Sequence, residues 1–152
     1  MGGLIATRYA PDHQDKVKGL VLLDATSPTA GTDLGNRIPE SATGPAGDMR
    51  AQNLSMFEGQ NPERLAFTDG EVRSAGDIPV RVIRQGQPYL ADMLPEYGAG
   101  LEEDWTKGRK AWPALSGTSE PSTAENSGHY IHVDEPEVAA EAIGTLTARA
   151  AG

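Results

Sequence analysis

The sequence has no cysteine among its 152 residues, which excludes disulfide bonds, thiolate zinc sites and a cysteine nucleophile. It also has no run of about 18 apolar residues, the length that a membrane-spanning helix needs. Its first residues, MGGLIATRYA, do not place a basic segment before an apolar one, as a secretory signal peptide does. We therefore expect a cytoplasmic protein that does not enter a membrane.

Large apolar side chains are scarce. Leu, Val, Ile and Phe together make up 27 of the 152 residues, about 18%, just below the roughly 20% under which a strongly charged chain begins to look disordered. Glycine and proline are abundant instead, with 18 and 11 residues. The length fits a single domain, but we expect its core to be marginal or to be completed by another polypeptide.

Basic side chains are outnumbered by acidic ones. The chain has 13 Lys and Arg residues against 22 Asp and Glu residues, and its formal net charge at pH 7 is -9. Such a balance repels the phosphate backbone of a nucleic acid, and no basic stripe in the sequence offsets the repulsion. We therefore expect no nucleic-acid partner.

The chain opens with a helix and a strand. Apolar side chains recur at helical spacing over residues 2–10, and the paired Gly2 and Gly3 indicate that the start of this helix passes close to a neighbouring strand. The near-continuous apolar run within residues 17–25 is typical of a parallel strand that is covered on both faces. A helix followed by such a strand predicts an α/β sheet.

The middle of the chain changes character. Residues 27–77 are rich in turn-forming residues and predict a loop-rich insertion, with a weak helix over residues 49–58. Residues 78–84 form a second strand pattern. Because Arg81 and Arg84 interrupt it, we expect this strand to lie near a sheet edge.

The last third is mostly helical in pattern. A helix is predicted over residues 101–115, and the polar residues 116–128 are poor material for a strand. Asp134, Pro136 and Glu137 are typical of a capped helix start. An amphipathic helix is therefore predicted from Asp134 onward.

Few residues can carry chemistry. Asp24 ends the strongest strand, and ligands of open α/β sheets bind beyond the carboxyl ends of the strands; the competing interpretation is that Asp24 caps the next turn. His129 follows Gly128, which allows the backbone to turn sharply and project the imidazole. His13 lies in a polar link and is expected to be a solvated surface residue. His129 and His132 lack a third ligand nearby in the sequence, so no metal site is predicted.

Taken together, these segments resemble the C-terminal half of an α/β-hydrolase. The family's nucleophile elbow is G-x-S-x-G, and many members continue it as GHSMGG, an amphipathic helix and then P-x-x-V-x-x-L-V-L-x-D. Residues 1–28 read MGGLIATRYAPDHQDKVKGLVLLDATSP. The tail SGHYIHVDEPEVAAEAI looks like the family's loop with the catalytic histidine, followed by its final helix.

The resemblance implies a fold and a reaction. It implies a partial α/β-hydrolase-like parallel sheet with flanking helices, in which residues 1–26 and 78–152 form an incomplete core and residues 27–77 form a cap-like insertion. The implied reaction is hydrolysis of a small-molecule acyl substrate, an ester or a lactone, without a cofactor or a metal. It is the reaction of a serine hydrolase.

The resemblance also assigns roles to residues. His129 matches the general base, and Asp24 matches the place where some members carry the acid that orients the histidine. Met1 and Gly2 match the oxyanion position at the start of the helix, although the nitrogen of Met1 is here a terminal amine rather than a peptide amide. The nucleophile serine would stand immediately before Met1, so we expect the isolated chain to be inactive.

Alternatives remain at the level of single residues and of function. Asp92 and Asp104 are weaker candidates for the acid, and Ser27 and Ser127 are weak candidates for an internal nucleophile, because neither lies in a strand-to-helix elbow. A second hypothesis is a non-catalytic binding or assembly module on a degenerate hydrolase scaffold, with a partner docked at an exposed sheet edge. A third is self-association through the strands.

Overall fold

The structure is a computed structural model that describes residues 1–62 and 64–151. These residues contain three strands, β1 (Leu20–Leu23), β2 (Val80–Gln85) and β3 (Ser119–Ala124). Their α-helices are α1 (Gly2–Tyr9), α2 (Ala30–Arg37), α3 (Gly44–Phe57), α4 (Leu90–Met93), α5 (Gly98–Gly108), α6 (Ile131–Asp134) and α7 (Pro136–Ala151). Two 3-10 segments follow α1 and α5, at Ala10–Asp12 and Arg109–Leu115. None of the helices in this part of the chain has the length and apolarity to span a membrane.

The chain divides into two compact units. The sheet unit consists of residues 1–25, 72–88 and 111 onward, and the helical unit consists of residues 26–71 and 89–110. The helical unit therefore takes in residues 89–110 as well as most of the predicted insertion. That this unit acts as a cap stays a prediction.

The sheet unit is built on a parallel sheet of order β1-β2-β3, which confirms the predicted α/β class. β1 pairs with β2 from Leu20 opposite Val80 to Leu23 opposite Ile83. The core on one side of the sheet joins buried side chains of β2, β3, α6 and α7 with half-buried ones of β1 and α7, namely Ile83, Ala124, Ile131, Ala142, Val21, Leu23 and Val138. Helices α6 and α7 thus cover the strands whose carboxyl ends carry the candidate residues.

The position of β2 differs from the prediction. β2 is the central strand of the three and pairs with β1 on one side and with β3 on the other, so the expectation of an edge position is wrong. Arg81 is tolerated there because Glu120, its register partner on β3, forms a salt bridge with it. Arg84 is exposed. Ion pairing of Arg81 and solvent access of Arg84 therefore reduce the cost that the sequence pattern suggested, although the buried Nε of Arg81 has no hydrogen-bond partner among the described residues.

The third strand was not expected. Residues 119–124 read SEPSTA and pair in parallel with β2 over their whole length, so the prediction that this stretch is poor strand material is wrong. Strand propensity depends on the surrounding sheet, and here β2 provides a complete parallel partner for the backbone. Pro121 fits because β3 is the last strand of the order, where a missing N–H is tolerated.

The helical unit has its own apolar core. Leu34 and Ile38 of α2 and the segment after it pack with Leu90, Leu94 and Leu101. Helix α2 lies in a stretch predicted to be loop, and α3 begins at Gly44, five residues before the predicted start at residue 49. Turn-forming residues are abundant in both helices, and burial against neighbouring helices outweighs their low helix propensity.

Candidate active site

Asp24 lies at the carboxyl end of β1, where the chain leaves the sheet. Its backbone N–H donates a hydrogen bond of 2.7 Å to the carbonyl of Ile83, so the residue is still held by β2. Its φ is +41°, in the left-handed region that Asp tolerates better than most side chains. Its side chain is fully buried. The strand end thus turns a carboxylate inward instead of toward water.

His129 meets this carboxylate from the loop between β3 and α6. Its Nδ1 lies 2.8 Å from Oδ2 of Asp24, although the two residues are 105 positions apart in the sequence. The backbone N–H of Gln85 lies 3.4 Å from the other oxygen, Oδ1. A carboxylate can only accept, so the hydrogen of this bond belongs to Nδ1 of the imidazole. The structure therefore brings together the two predicted residues.

Exposure differs sharply within this pair. The side chain of Asp24 is 0% exposed, whereas that of His129 is 37% exposed. The ring of Tyr130 packs edge-on against the imidazole, with 5.1 Å between the ring centroids. A buried carboxylate joined to a partly exposed imidazole is the arrangement in which the carboxylate orients the ring and the ring reaches a reacting molecule.

Hydrogen bonds from two neighbouring segments hold the loop that carries His129. The carbonyl of Ser127 accepts from the N–H groups of Gly86 and Gln87, at 3.1 and 3.0 Å. A side-chain oxygen of Asp134 accepts from the N–H of Gly128 at 3.0 Å. Both residues that precede the imidazole are therefore held by neighbouring segments of the sheet unit.

The start of α1 lies beside the residue that follows Asp24. A Cβ added to Gly3 would lie 2.5 Å from the Cβ of Ala25, whereas one added to Gly2 would have no neighbour within 4 Å. The carbonyl of Met1 accepts from the N–H of Ile5 at 3.3 Å, which begins the helix. Burial lowers the pKa of the Met1 amino group below its usual value. Gly3 thus explains the close approach expected from the paired glycines.

The other candidates for the acid have different surroundings. Asp104 lies in the helical unit, where its carboxylate accepts two hydrogen bonds from the guanidinium of Arg37, at 2.6 and 3.1 Å. Arg37 lowers the pKa of Asp104. Asp92 is exposed on the short helix α4. Asp24 is therefore the acid candidate that the structure hydrogen-bonds to His129.

The two serine candidates are buried. The hydroxyl of Ser127 lies 2.9 Å from the carbonyl of Gly128 and 3.2 Å from a carboxylate oxygen of Asp134, and Ser127 is 0% exposed. Ser27, in the helical unit, is also 0% exposed and lies 2.9 Å from the hydroxyl of Thr29. A buried hydroxyl engaged in this way cannot reach a substrate, which argues against both as nucleophiles.

The remaining histidines stand apart from the Asp24–His129 pair. Nδ1 of His13 lies 3.0 Å from the backbone carbonyl of Tyr9. The imidazole of His13 also stacks on the ring of Tyr9. His132 is exposed, and its ring lies edge-on to Tyr130. Within residues 1–62 and 64–151, no three His, Asp or Glu side chains are grouped closely enough to hold a metal ion.

Asp134 is the residue whose place the sequence pattern missed. It was expected to cap the last helix, but it ends α6, and Glu135 separates it from α7. Its carboxylate instead reaches back to Gly128, six residues earlier. The DxxE pattern also fits a loop closure of this kind, because the side chain of Asp accepts from backbone N–H groups in both settings.

Comparison with known proteins gives no relative. No family model matches the chain, no curated protein matches it, and no solved structure matches it. The geometry of the Asp24–His129 pair and the sequence resemblance therefore carry the functional argument.

Proposed function

We propose that this chain carries the acid and the base of a serine-hydrolase-like site that hydrolyses a small ester or lactone. The observation that carries the proposal is the 2.8 Å hydrogen bond between Nδ1 of His129 and the fully buried carboxylate of Asp24. The reaction needs no cofactor, because His129, oriented by Asp24, can carry each proton that moves between the serine, the leaving group and water.

In the proposed mechanism His129 acts as general base and then as general acid. Asp24 holds the hydrogen on Nδ1, so Nε2 is the basic atom of the neutral imidazole. Nε2 takes the proton of a serine hydroxyl while the serine oxygen bonds to the substrate carbonyl carbon. It gives the proton to the leaving alkoxide as the bond between the acyl carbon and that oxygen breaks, which leaves the acyl group on the serine. Nε2 then takes a proton from the water molecule that attacks the acyl carbon, and it returns this proton to the serine oxygen as the acid product leaves. Asp24 stays ionised and stabilises the imidazolium between these steps.

The nucleophile in this proposal comes from outside residues 1–152. The resemblance puts the serine immediately before Met1, and the approach of Gly3 to Ala25 supports that place, because it sets the start of α1 beside the residue after Asp24. A longer polypeptide or a partner chain supplies the serine. The backbone N–H groups at the helix start would then face the developing oxyanion.

The test compares the unextended chain, residues 1–152, with two versions extended at the amino terminus by Gly-His-Ser or Gly-His-Ala. The readouts are covalent labelling by a fluorophosphonate and hydrolysis of p-nitrophenyl acetate. We expect the unextended chain and the Ala extension to remain unlabelled and to hydrolyse p-nitrophenyl acetate no faster than buffer does. The Ser extension is expected to label and to turn over, and His129→Ala in that background lowers its rate by about 10²–10⁴-fold.

Three outcomes contradict the proposal. An inert Ser extension shows that the Asp24–His129 pair does not activate a hydroxyl at that position. If the unextended chain turns over and His129→Ala abolishes this turnover, a nucleophile lies inside the chain. Equal labelling of the Ser and Ala extensions points to the same conclusion.

A second candidate function is a non-catalytic binding or assembly module. The observation that favours it is the strand order: β1 and β3 each pair with β2 alone among the strands of the described residues. A strand that pairs on one side is a template for the strand of another chain. An inert Ser extension combined with concentration-dependent association would favour this candidate over the hydrolase.

A further inference from the structure

We propose that Asp134 is a positioning residue for His129, acting through Ser127 and Gly128. The inference rests on the proposed function of the Asp24–His129 pair. It adds a second carboxylate to the site, one that holds the loop directly before the imidazole.

Two contacts of Asp134 converge on one of its oxygen atoms. Its Oδ2 accepts from the N–H of Gly128 at 3.0 Å and lies 3.2 Å from the hydroxyl of Ser127, whose single hydrogen is also within reach of the Gly128 carbonyl at 2.9 Å. Gly128 and Ser127 are the two residues directly before His129. A single oxygen therefore holds the backbone that leads into the imidazole.

One of these two residues, Ser127, is also held by the turn after β2. The carbonyl of Ser127 accepts from the N–H groups of Gly86 and Gln87, and the neighbouring N–H of Gln85 points to Asp24. The end of β2 and the turn after it thus contact Asp24 and the loop that leads to His129. Without Asp134, the N–H of Gly128 would lose its hydrogen bond to this side of the loop, whereas Ser127 would keep its hydrogen bonds to the turn after β2.

The anchor for Asp134 is α6, which closes the loop. Asp134 is its last residue, and its N–H donates to the carbonyl of Tyr130 at 3.0 Å. Ile131, the first residue of α6, is 0% exposed and packs against Ile83 of β2. The helix that carries Asp134 is therefore packed against the core of the sheet unit through Ile131, while Asp134 itself is exposed at the end of that helix.

The test measures the tautomer and proton exchange of the His129 imidazole in the full unextended chain, so it does not depend on catalytic turnover. The variants are Asp134→Ala, which removes the acceptor, Asp134→Asn, which keeps one oxygen on which both bonds can converge, and Glu137→Ala, which removes an exposed charge nearby in the sequence. The readouts are the ¹⁵N shifts of His129, which report its tautomer, and the exchange rate of its Nδ1 proton with water.

We expect the Nδ1–H tautomer in the wild type and about tenfold faster exchange of that proton in Asp134→Ala, the factor that corresponds to one lost hydrogen bond. Asp134→Asn and Glu137→Ala are expected to stay within about twofold of the wild type, since the loop bonds are kept. A purely structural role would lower the melting temperature without changing this exchange at a temperature well below it.

Several results overturn the inference. Unchanged exchange in Asp134→Ala does so, as does equally fast exchange in Asp134→Asn or in Glu137→Ala. If Asp134→Ala does not fold, Asp134→Leu replaces it, because it keeps a side chain at this exposed position and removes the acceptor; an unchanged rate there overturns the inference too. If His129 shows no preferred tautomer in the wild type, the Asp24–His129 hydrogen bond itself is contradicted, and with it the proposed function. If the wild type shows the Nδ1–H tautomer but its exchange does not respond to Asp134→Ala, the role of Asp134 alone is contradicted.

Discussion

At the scale of single residues, Asp24 is the most constrained side chain of the site. It is fully buried, it is hydrogen-bonded to His129, and its φ of +41° lies in the left-handed region. A residue other than Gly in that region carries a backbone strain of about 1–3 kcal/mol. Strain of this kind persists where the surroundings hold it, and here the hydrogen bonds of Asp24 to Ile83 and His129 do so.

The substitution Asp24→Asn tests the control of the tautomer. Asn keeps the shape and tolerates the same φ, but its amide can donate to Nδ1 as well as accept from it. We expect a single Nδ1–H tautomer of His129 in the wild type and a measurable share of the Nε2–H tautomer in the variant, read from ¹⁵N shifts. In the Ser-extended chain, hydrolysis is expected to fall by about 10⁴-fold.

Asp92→Asn is the matched control for that substitution, because Asp92 is exposed on α4. It should leave the shifts of His129 unchanged. Identical spectra for the wild type and Asp24→Asn would show that the carboxylate does not choose the tautomer.

At the scale of elements, the contact between α1 and the end of β1 depends on the absence of one methyl group. A Cβ on Gly3 would lie 2.5 Å from that of Ala25, closer than side-chain carbons approach one another. Both groups belong to ordered backbone, so neither can move away without shifting the helix or the strand end. Gly3 is therefore required by geometry, whereas Gly2 is not.

The pair Gly3→Ala and Gly2→Ala tests this requirement. Gly3→Ala is expected to lower the free energy of unfolding by about 1–3 kcal/mol, because overpacking moves α1. Gly2→Ala meets nothing within 4 Å and is expected to be neutral or to stabilise by up to about 1 kcal/mol, since Ala is the better helix former. Urea denaturation measures both. Equal effects of the two changes would contradict the placement of α1.

The ion pair between α2 and α5 predicts a dependence of stability on pH. Arg37 lowers the pKa of Asp104 in the folded state, so the folded state binds fewer protons there than the unfolded state does. The stabilisation is therefore complete above the unfolded pKa, about 3.9, and is lost as the pH falls through the lower folded value. Asp104→Asn should lower the melting temperature at pH 7 and approach the wild type near pH 3.

Glu103→Gln is the control for the ion pair, because the carboxylate of Glu103 lies 4.0 Å from Lys107 and is 68% exposed. A solvated contact of this kind adds little stability. The melting temperature of Glu103→Gln should therefore equal that of the wild type at each pH. An effect of Asp104→Asn that stays constant from pH 7 to pH 3 would show that the loss is not electrostatic.

At the scale of the whole molecule, charge and strand pairing act in opposite directions. The net charge of -9 repels a second copy over about 10 Å at 0.1 M salt. The strands β1 and β3, each paired with β2 alone in the part of the chain that the structure describes, favour added strands. We propose that the chain self-associates through these strands and that the extent of association increases with salt concentration.

We expect sedimentation velocity to show more association at 300 mM NaCl than at 20 mM NaCl, and more at higher protein concentration. Screening weakens the repulsion between the acidic chains and leaves backbone pairing in place. A single monomeric species at every salt and protein concentration would contradict self-association and would also weaken the assembly-module alternative.

Local patterns predicted much of the fold. The first and last helices and the strands β1 and β2 follow from apolar periodicity, which a short window of sequence contains. Strand β3 does not, because SEPSTA gains its structure from pairing with β2 along the whole segment. Helix α2 was missed for a related reason: its glycines and polar residues disfavour a helix, and packing of Leu34 in an apolar core outweighs them.

The sequence by itself determined which side chains could act, because Asp24 follows an apolar strand and His129 follows a glycine in a polar loop. Only the tertiary structure decided that they meet. Parallel pairing of three strands brings the loop after β3 to the end of β1, and a 2.8 Å bond then joins residues 105 positions apart. The role of Asp134 was likewise hidden, because a carboxylate that caps a helix and one that closes a loop have the same residue type and spacing.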